Sequence, residues 1–228
     1  MKQPLVHLLN ISINLFKNSS DNFSFKKFLL TQKFLPESIS IFSDISLDIY
    51  KGEILGIVGS NGIGKTTLLS AIAGILPIAS GIRQVRGKCL PLLGLGNVFH
   101  GDLDIQRNIV LWETCFKSNF VINNDFVDDV IKKAGLNISQ TTVMRALSSG
   151  MKSRLAFELA MRDTSDILLL DEVFSVGDAH FREQSTIRIK EKLKTLGCAV
   201  IVSHDQQVLE DNCTKIIRIK DHMTIEVC

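Results

Sequence analysis

The segment Glu53-Ile-Leu-Gly-Ile-Val58, followed at once by Gly59-Ser-Asn-Gly-Ile-Gly-Lys-Thr-Thr67, decides the fold of this chain. The first part is a short apolar run of the kind that forms a buried parallel strand. The second part matches the phosphate-loop pattern GxxxxGK[ST]. The next segment, Leu68-Leu-Ser-Ala-Ile-Ala-Gly74, has the pattern of a helix closed by a glycine. Strand, glycine loop and helix in this order predict an α/β fold built around a phosphate site.

Each residue type in the loop has a predicted task. Gly62 and Gly64 allow the backbone to wrap with its N–H groups inward, and Lys65 reaches the β- and γ-phosphates of a nucleotide. The Thr66 hydroxyl is a ligand for Mg²⁺. A glycine-rich turn without a ligand is the alternative, and the Lys65-Thr66 pair at this spacing argues against it. The predicted nucleotide-binding residues are Gly59, Ser60, Asn61, Gly62, Gly64, Lys65, Thr66 and Thr67.

A second apolar strand, in Asp166-Ile-Leu-Leu-Leu-Asp171-Glu172, ends in two carboxylates. Adjacent residues of a strand point in opposite directions, so we expect the two acids to have different tasks. Asp171 is the predicted Mg²⁺ partner, directly or through water. Glu172 is the predicted residue that polarises an attacking water.

A third strand, Gly197 to Ser203, precedes His204. An α/β sheet places its site at the carboxyl ends of its strands, so His204 joins the predicted site. The remaining histidines lack metal-ligand spacing and are predicted to be surface or packing residues. They are His7, His100, His180 and His222.

The run Leu147-Ser-Ser-Gly-Met151 predicts a second phosphate-binding site. Ser148 and Ser149 are good N-cap residues ahead of a helix-forming segment, so Gly150 and its neighbours present backbone N–H groups at a positive helix end. Because the chain already has a phosphate loop at Gly59, a nucleotide held from two sides by two copies of the protein is predicted.

Composition narrows the classes of partner. The chain has 228 residues, 45% hydrophobic and 22% charged, which is typical of a globular protein. A formal charge of +2 with scattered basic residues gives no reason to expect nucleic-acid binding. No apolar run reaches the roughly 18 residues of a membrane helix, and the start lacks a signal-peptide core. Five scattered cysteines predict no disulfide framework or zinc site, which favours a reducing cytosol: Cys89, Cys115, Cys198, Cys213 and Cys228.

Five short runs, taken in chain order, resemble the motifs of the nucleotide-binding subunit of an ATP-binding cassette (ABC) transporter. They are GSNGIGKTT, LSSGM, ILLLDE, the SVGD of Ser175 to Asp178 and the SHD of Ser203 to Asp205. The resemblance implies the P-loop NTPase fold of ABC ATPases, with a RecA-like core, an antiparallel β subdomain and a helical subdomain. It implies a single domain over residues 1–228, with the core and β subdomain at 1–100 and 160–228 and the helical subdomain at about 101–159.

The same resemblance implies that the chain hydrolyses ATP with Mg²⁺ as a head-to-tail homodimer. The residues Ser148, Ser149 and Gly150 of one copy would then close in trans over the nucleotide of the other. It further implies that Glu172 is the general base, that His204 contacts the γ-phosphate alongside Lys65, and that Asp178 lies in the loop linking the two sites.

Two departures from the common ABC pattern narrow the subfamily. The first is in the signature run, where Ser149 and Met151 replace a glycine and the glutamine of the usual LSGGQ. This form is similar to the ATPase subunits of bacterial polysaccharide exporters, in which SSGM is followed by a segment like Lys152-Ser-Arg-Leu-Ala-Phe157. The usual glutamine loop is replaced by Leu93-Gly-Leu-Gly-Asn-Val-Phe-His100, where Asn97 is either a substitute or a turn residue. The resemblance implies export of a lipid-linked O-antigen, capsule or teichoic-acid chain through integral membrane permease subunits, at the cytoplasmic face of the bacterial inner membrane.

Two aromatic regions carry further expectations. The adenine base is expected to stack on Phe16 at the end of a first strand, with Leu15 as its rival. The segment Asn22 to Leu30, within an insertion at 18–36, either lies near the glycan entrance or packs on its own domain. Helices are predicted around 106–112 and 126–133, with Trp112 and Phe116 in their core.

Several alternatives remain open at this stage. The chain could serve a drug or lipid exporter or an importer, act as a soluble ABC ATPase on a ribosome, DNA or scaffold, or work as a nucleotide-gated clamp without turnover. The sequence ends 24 residues after His204, so we expect no glycan-binding domain. Substrate selection would then lie in the membrane subunit or the lipid carrier.

Overall fold

The structure is a computed structural model that describes residues 2–16, 38–95, 98–116, 123–173, 179–221 and 224–227. Strands and helices alternate from residue 149 to residue 219, whereas strands follow one another near the N-terminus. The strands are β1 (Val6–Phe16), β2 (Ser38–Ile49), β3 (Ile54–Val58), β4 (Ser80–Val85), β5 (Cys89–Leu93), β6 (Ile167–Asp171), β7 (Cys198–Val202), β8 (Lys215–Ile219) and β9 (Ile225–Val227). The helices are α1 (Lys65–Ala73), α2 (Ile105–Phe116), α3 (Asn124–Lys133), α4 (Ser149–Arg162), α5 (Ala179–Leu193) and α6 (Gln206–Asn212).

The larger sheet has the strand order β5-β6-β7-β3-β8-β9. All neighbours are parallel except β9, which runs antiparallel to β8. The three strands predicted to carry the site, β6, β7 and β3, are therefore adjacent. Their carboxyl ends meet at one edge of the sheet, which is where α/β folds bind ligands.

Both faces of this sheet are covered, which explains why its central strands are continuous apolar runs. On β6, Leu168 and Leu170 belong to a core shared with the helices α2 to α6. Ile167 and Leu169, which point the other way, belong to a second core. The sheet thus separates two hydrophobic layers, and the residues of the central strands β6 and β7 are nearly all buried in one or the other.

The second core joins the sheet to α1 and to a smaller antiparallel sheet of order β2-β1-β4. Helix α1 begins directly after the glycine loop and ends at Gly74, which adopts a left-handed φ of 78°. The prediction of a helix closed by this glycine is confirmed. Arg83 of β4 donates two hydrogen bonds to the carbonyl of Ile72, which fixes the end of α1 against the small sheet.

The helices α2, α3 and α4 agree in position with the predicted helical region, but their ends differ from the sequence patterns. Helix α3 begins at Asn124, because the Asn123 side chain accepts a hydrogen bond from the Phe126 N–H and acts as the N-cap. Trp112 of α2 is 6% exposed and lies in the core, as predicted. The predicted subdomain boundary at 159/160 falls inside α4, and the division into subdomains stays a prediction.

Some predicted features lie outside the described residues. They are the insertion at 18–36, Asn97, Asp178, His222, Cys228 and the side chains of Phe16, Phe116 and His180. Within the described ranges, Cys89, Cys115, Cys198 and Cys213 are free thiols, and no group of His, Cys, Asp and Glu could hold a metal ion by itself. None of the helices described is long and apolar enough to cross a membrane.

Candidate active site

The phosphate-loop backbone depends on glycine at two positions. Gly62 and Gly64 have left-handed φ values of 78° and 108°, which strain any other residue. A Cβ atom on Gly64 would also lie 2.8 Å from Ile41 Cγ2 and 2.9 Å from an atom of the Phe42 ring. Gly64 therefore lets the loop enter α1 while the small sheet packs directly against it.

Lys65 folds back over the loop that precedes it. Its ammonium donates hydrogen bonds to the carbonyl oxygens of Gly59 at 2.9 Å and Ser60 at 3.0 Å. The residue is only 8% exposed, and a buried ammonium needs such acceptors. Because charged oxygens bind an ammonium more strongly than carbonyls do, phosphate oxygens are favourable replacements for these two partners.

Thr66 and Asp171 come from different elements and meet in this site. The Thr66 hydroxyl, in the first turn of α1, donates a hydrogen bond to Asp171 Oδ2 at 2.6 Å. Asp171 is the last residue of β6. A hydroxyl and a carboxylate are the oxygen ligands that Mg²⁺ takes in phosphoryl-transfer sites, so the donor set here fits that ion.

Glu172 leaves the strand in a conformation that the sequence pattern did not predict. Its φ is 55°, in the left-handed region that residues with a side chain rarely adopt. Its N–H donates to the carbonyl of Val202 on β7 at 3.0 Å, which holds the strained turn in place. The argument that adjacent strand residues point in opposite directions is therefore wrong for this pair, because the strand ends at Asp171.

The side chain of Glu172 lies beside that of His204. Glu172 Oε1 is 3.4 Å from His204 Nε2, and the imidazole is more exposed than the carboxylate, at 58% against 33%. The distance exceeds that of a strong hydrogen bond, so this is a loose pair. His204 follows β7 and precedes Asp205, whose side chain caps α6 by accepting the Gln207 N–H. The cap fixes the backbone next to the histidine.

These residues surround one cavity of about 310 Å³. Every residue that lines it was predicted as a site residue from the sequence, and Gly59 and Ser60 supply the carbonyls that hold Lys65. The chemical roles of these residues stay predictions. The lining consists of Asn61, Gly62, Gly64, Lys65, Thr66, Thr67, Asp171, Glu172 and His204.

The first turn of α4 does not take part in this cavity. Ser148 is the N-cap, and its hydroxyl accepts the Met151 N–H at 3.2 Å. Ser149 was also predicted as a capping residue, but it is the first residue of the helix, because a helix has one N-cap. Ser149 is exposed, and a Cβ on Gly150 would meet nothing within 4 Å. Within one chain, this turn faces open space.

Sequence reasoning missed a cluster of charges around Glu158 of α4. Glu158 is 1% exposed and bonds both Arg162 and Arg188. The spacing of Glu158 and Arg162, four residues apart on one helix, is a signal that could have predicted half of it. Arg188 comes from α5, and no local pattern links it to α4.

A sequence model described as ABC transporter matches residues 42–175 of the chain. The chain is 35% identical over 175 residues to the O-antigen export system ATP-binding protein RfbB of Myxococcus xanthus. The aligned region covers 77% of this chain and 40% of that protein. It is 33% identical over 175 residues to the teichoic acids export ATP-binding protein TagH of Enterococcus faecalis, covering 75% and 38%. An O-antigen export ATP-binding protein RfbB of Klebsiella pneumoniae is 31% identical over 184 residues, covering 81% and 75%.

The resemblance to the polysaccharide-exporter group of ABC proteins is confirmed by these relatives. The chain spans about 40% of the length of the Myxococcus and Enterococcus proteins. The expectation that no glycan-binding domain is attached therefore stays a prediction.

Two solved structures share the fold. A dimeric ATP-binding cassette in a post-hydrolysis state with ADP and Pi has a TM-score of 0.73 at 21% identity, covering 97% of this chain and 98% of that chain. An ATP-binding subunit of an ABC transporter has a TM-score of 0.73 at 14% identity, covering 98% and 90%. At these identities the likeness concerns the fold alone, and it confirms the predicted ABC ATPase fold.

Proposed function

The chain belongs to the ABC transporter family, and from that membership we propose that it is the ATP-hydrolysing subunit of a bacterial exporter of lipid-linked polysaccharide. The observation that carries the enzymatic part is the single cavity where the phosphate loop, Asp171, Glu172 and His204 meet. The run Ser148-Ser-Gly-Met151 and the names of the relatives carry the choice of substrate class.

Binding of ATP begins at the loop before α1. The N–H groups of the loop and the N-terminus of α1 attract the phosphates, and Lys65 exchanges its carbonyl partners for β- and γ-phosphate oxygens. Thr66 and Asp171 supply oxygen ligands for Mg²⁺, directly or through water. The bound ion would offset the charge that develops on the phosphate oxygens.

Hydrolysis then requires a base beside the γ-phosphate. The Glu172 carboxylate would accept a proton from the attacking water, and His204 would hold the γ-phosphate on the other side. Their side chains already face each other at 3.4 Å across the cavity. The hydrogen bond from the Glu172 N–H to β7 keeps the base at the end of the sheet as the phosphate is transferred.

A second copy of the chain completes each site. The open first turn of α4 has the N–H groups and positive dipole that bind a phosphate, yet it lies outside the cavity of its own chain. We propose that Ser148, Ser149 and Gly150 of one copy close over ATP in the other, in a head-to-tail homodimer. The loop containing Asp178 would link the two sites, and Phe16 would stack on the adenine base.

An apolar groove is the proposed docking place for the membrane permease. Its volume is about 390 Å³ between β5 and α2, and it opens beside Ile75, which is 64% exposed, and Leu111, which is 49% exposed. A helix of a permease loop with an apolar face would cover these side chains. Docking there would place the chain at the cytoplasmic face of the inner membrane.

The proposed function is tested in cells that carry a deletion of this gene. We expect lipid-linked polysaccharide to accumulate on the cytoplasmic side of the membrane, and the intact chain to restore its export. The Lys65→Ala chain, expressed at the same level, should fail to restore it. Unchanged surface polysaccharide in the deletion strain would contradict the substrate, whereas rescue by Lys65→Ala would contradict the need for ATP.

A further inference from the structure

A buried carboxylate, that of Glu158, lies among partly exposed charged side chains where α4 packs against α3 and α5. Glu158 accepts a hydrogen bond from Arg162 Nε at 3.0 Å and another from Arg188 Nη1 of α5 at 2.6 Å. Arg162 also donates to Asp129 of α3 at 2.5 Å. We call Asp129, Glu158, Arg162 and Arg188 the anchor cluster. Glu158, which is 1% exposed, links α4 to α5 through Arg188, and Arg162 links α4 to α3 through Asp129.

Arg162 and Asp129 form the ion pair of the anchor cluster between α4 and α3. Burial disfavours the Arg162 cation, but its hydrogen bonds to Asp129 and Glu158 outweigh this effect and raise the pKa of its guanidinium. Hydrogen bonds from Arg162 and Lys133 lower the pKa of Asp129. Arg162 and Asp129 therefore keep opposite charges over the physiological pH range.

Aromatic rings extend the contact between α4 and α5. The Phe157 and Phe181 rings pack edge to face with centroids 5.5 Å apart. Arg188 lies 5.4 Å above the Phe157 ring, and Arg154 lies 5.1 Å above the Phe181 ring. Each of these arginines thus contacts an aromatic face across the two helices, in the geometry of a cation–π interaction.

The C-terminal end of α4 is held by the same neighbour. Lys192 of α5 donates hydrogen bonds to the carbonyls of Asp163 at 2.5 Å and Met161 at 3.3 Å. A cation at this position also complements the negative end of the helix. From Arg154 to Asp163, α4 is therefore bound to α5 at every turn.

The first turn of α4 is tied to its neighbours less closely than the rest of the helix: Leu147 is buried before the cap, but Met151 packs only partly against the core. The buried residues of the helix begin at Ser153, whereas Ser149 is exposed and a Cβ on Gly150 would meet nothing within 4 Å. Nine residues separate Ser149 from Glu158, which is about 13 Å along the axis. A tilt of roughly 10° at Glu158 would therefore shift the first turn by about 2 Å, more than hydrogen bonds to a phosphate tolerate.

Buried ion pairs contribute little net stability compared with apolar residues, and their best-attested role is to fix one arrangement among several. We propose that the anchor cluster sets the orientation of α4, so that Glu158 and Arg188 position the Ser148 to Gly150 turn for the nucleotide site of a second copy. This inference rests on the shared site proposed above. Both residues act through α4, and neither contacts the nucleotide.

The position of α5 in the chain gives this arrangement a consequence. Helix α5 begins seven residues after Glu172, so the anchor cluster joins α4 to the helix that follows the chain's own base in the sequence. Nucleotide-dependent movement at one site would then be passed through α5 and α4 to the site of the partner copy.

The test compares two placements of the same substitutions in a dimer whose two chains are joined by a flexible linker into one polypeptide, so that they cannot exchange partners. One chain always carries Glu172→Gln, so that hydrolysis comes from the other chain. In the first dimer, Arg188→Gln is on the Glu172→Gln chain, whose α4 serves the active site. In the second, Arg188→Gln is on the chain that retains Glu172, whose α4 serves the inactive site.

We expect the first dimer to hydrolyse ATP at least about tenfold more slowly than the second, since a displacement near 1 Å costs on the order of 100-fold in rate. The second should equal a reference dimer without Arg188→Gln. A structural role alone would lower both rates equally, because both dimers contain the same substitutions. Equal rates in the two placements would therefore overturn the proposal.

Three further arms make the result decisive. Lys190→Gln removes a positive charge from an exposed position of α5 and should show no placement effect. Glu158→Gln, which keeps the shape of the side chain, should reproduce the asymmetry of Arg188→Gln. Ser149→Arg tests the shared site itself and should inhibit only from the Glu172→Gln chain. If Ser149→Arg gives the same rate in both placements, the proposal of a shared site is wrong, and so is the anchor proposal that rests on it. If Ser149→Arg gives different rates but the anchor variants give equal rates, only the anchor proposal is wrong.

Discussion

The hydroxyl of Thr66 and the carboxylate of Asp171 share a hydrogen bond of 2.6 Å, which ties the first turn of α1 to the end of β6. The two residues are 105 positions apart in the sequence, and both carry oxygen ligands suited to Mg²⁺. Their meeting brings the glycine loop and a distant acidic strand end to one cavity.

The first prediction concerns this pair. Thr66→Val keeps the shape of the side chain but removes the ligand oxygen, and we expect the Mg²⁺ concentration for half-maximal ATP hydrolysis to rise at least about tenfold. A Mg²⁺ titration of the steady-state rate measures it. The matched control is Thr114→Val on the exposed side of α2. An unchanged Mg²⁺ requirement would remove Thr66 from the metal site.

The second prediction concerns Lys65. Lys65→Ala removes a largely buried ammonium that would pair with phosphate oxygens, and such truncations cost about 3 kcal/mol, or roughly 100-fold in affinity. Calorimetry with ATP and Mg²⁺ measures the change. Lys51→Ala, at an exposed position beyond the opposite end of β3, should bind ATP normally. Retained affinity in Lys65→Ala would contradict the phosphate assignment.

The third prediction separates stability from activity at Gly150. A methyl group there meets nothing within 4 Å, and alanine favours a helix over glycine by about 0.5–1 kcal/mol. We therefore expect Gly150→Ala to unfold at a slightly higher denaturant concentration than the unmodified chain. Its ATP hydrolysis should nevertheless fall, because the methyl group would stand where the partner's phosphate approaches. Undiminished hydrolysis would show that this turn contacts no phosphate.

The fourth prediction concerns the permease groove. Cys115 is exposed and lies at this groove, whereas burial raises the pKa of Cys89 to about 11 and the pKa values of Cys198 and Cys213 to about 12. Thiols with such pKa values stay protonated and react slowly at neutral pH. In a Cys228→Ser chain, a bulky maleimide should therefore label Cys115 selectively. The labelled protein should bind ATP normally but fail to assemble with the permease.

A matched control uses the Cys115→Ser chain, labelled at Cys228. It should assemble as the unlabelled protein does. If labelling at Cys115 leaves assembly with the permease intact, the docking surface lies elsewhere.

Much of the site was predictable because its chemistry is local in the sequence. The glycine loop and its helix are consecutive, and the acidic strand end follows an apolar run that only a buried parallel strand explains. Parallel pairing of β6, β7 and β3 then brings Asp171, Glu172 and His204 to the loop. The apolar strand pattern thus predicted that the site lies at the carboxyl ends of the strands. The spacing of the glycines predicted that its ligand carries phosphate groups.

The rest depends on tertiary contacts that no local pattern encodes. The left-handed backbone of Glu172 follows from its hydrogen bond to Val202, on a strand 30 residues further along the chain. Likewise, Arg188 reaches Glu158 only because α5 packs on α4. Both Ser148 and Ser149 are suitable N-cap residues, so the sequence does not decide which of them caps α4. The structure shows that Ser148 is the cap and that the helix begins one residue later.

The central claim is that two copies share each nucleotide, and the most direct measurement is the molar mass of Glu172→Gln in solution by light scattering, without and with ATP and Mg²⁺. Loss of the base should slow turnover by about 10²–10⁴-fold and so preserve the ATP-bound state. We predict that the molar mass doubles on ATP addition, and that it does not double when Ser149→Arg is added to the same chain. An ATP-bound Glu172→Gln chain that remains a monomer would contradict the account.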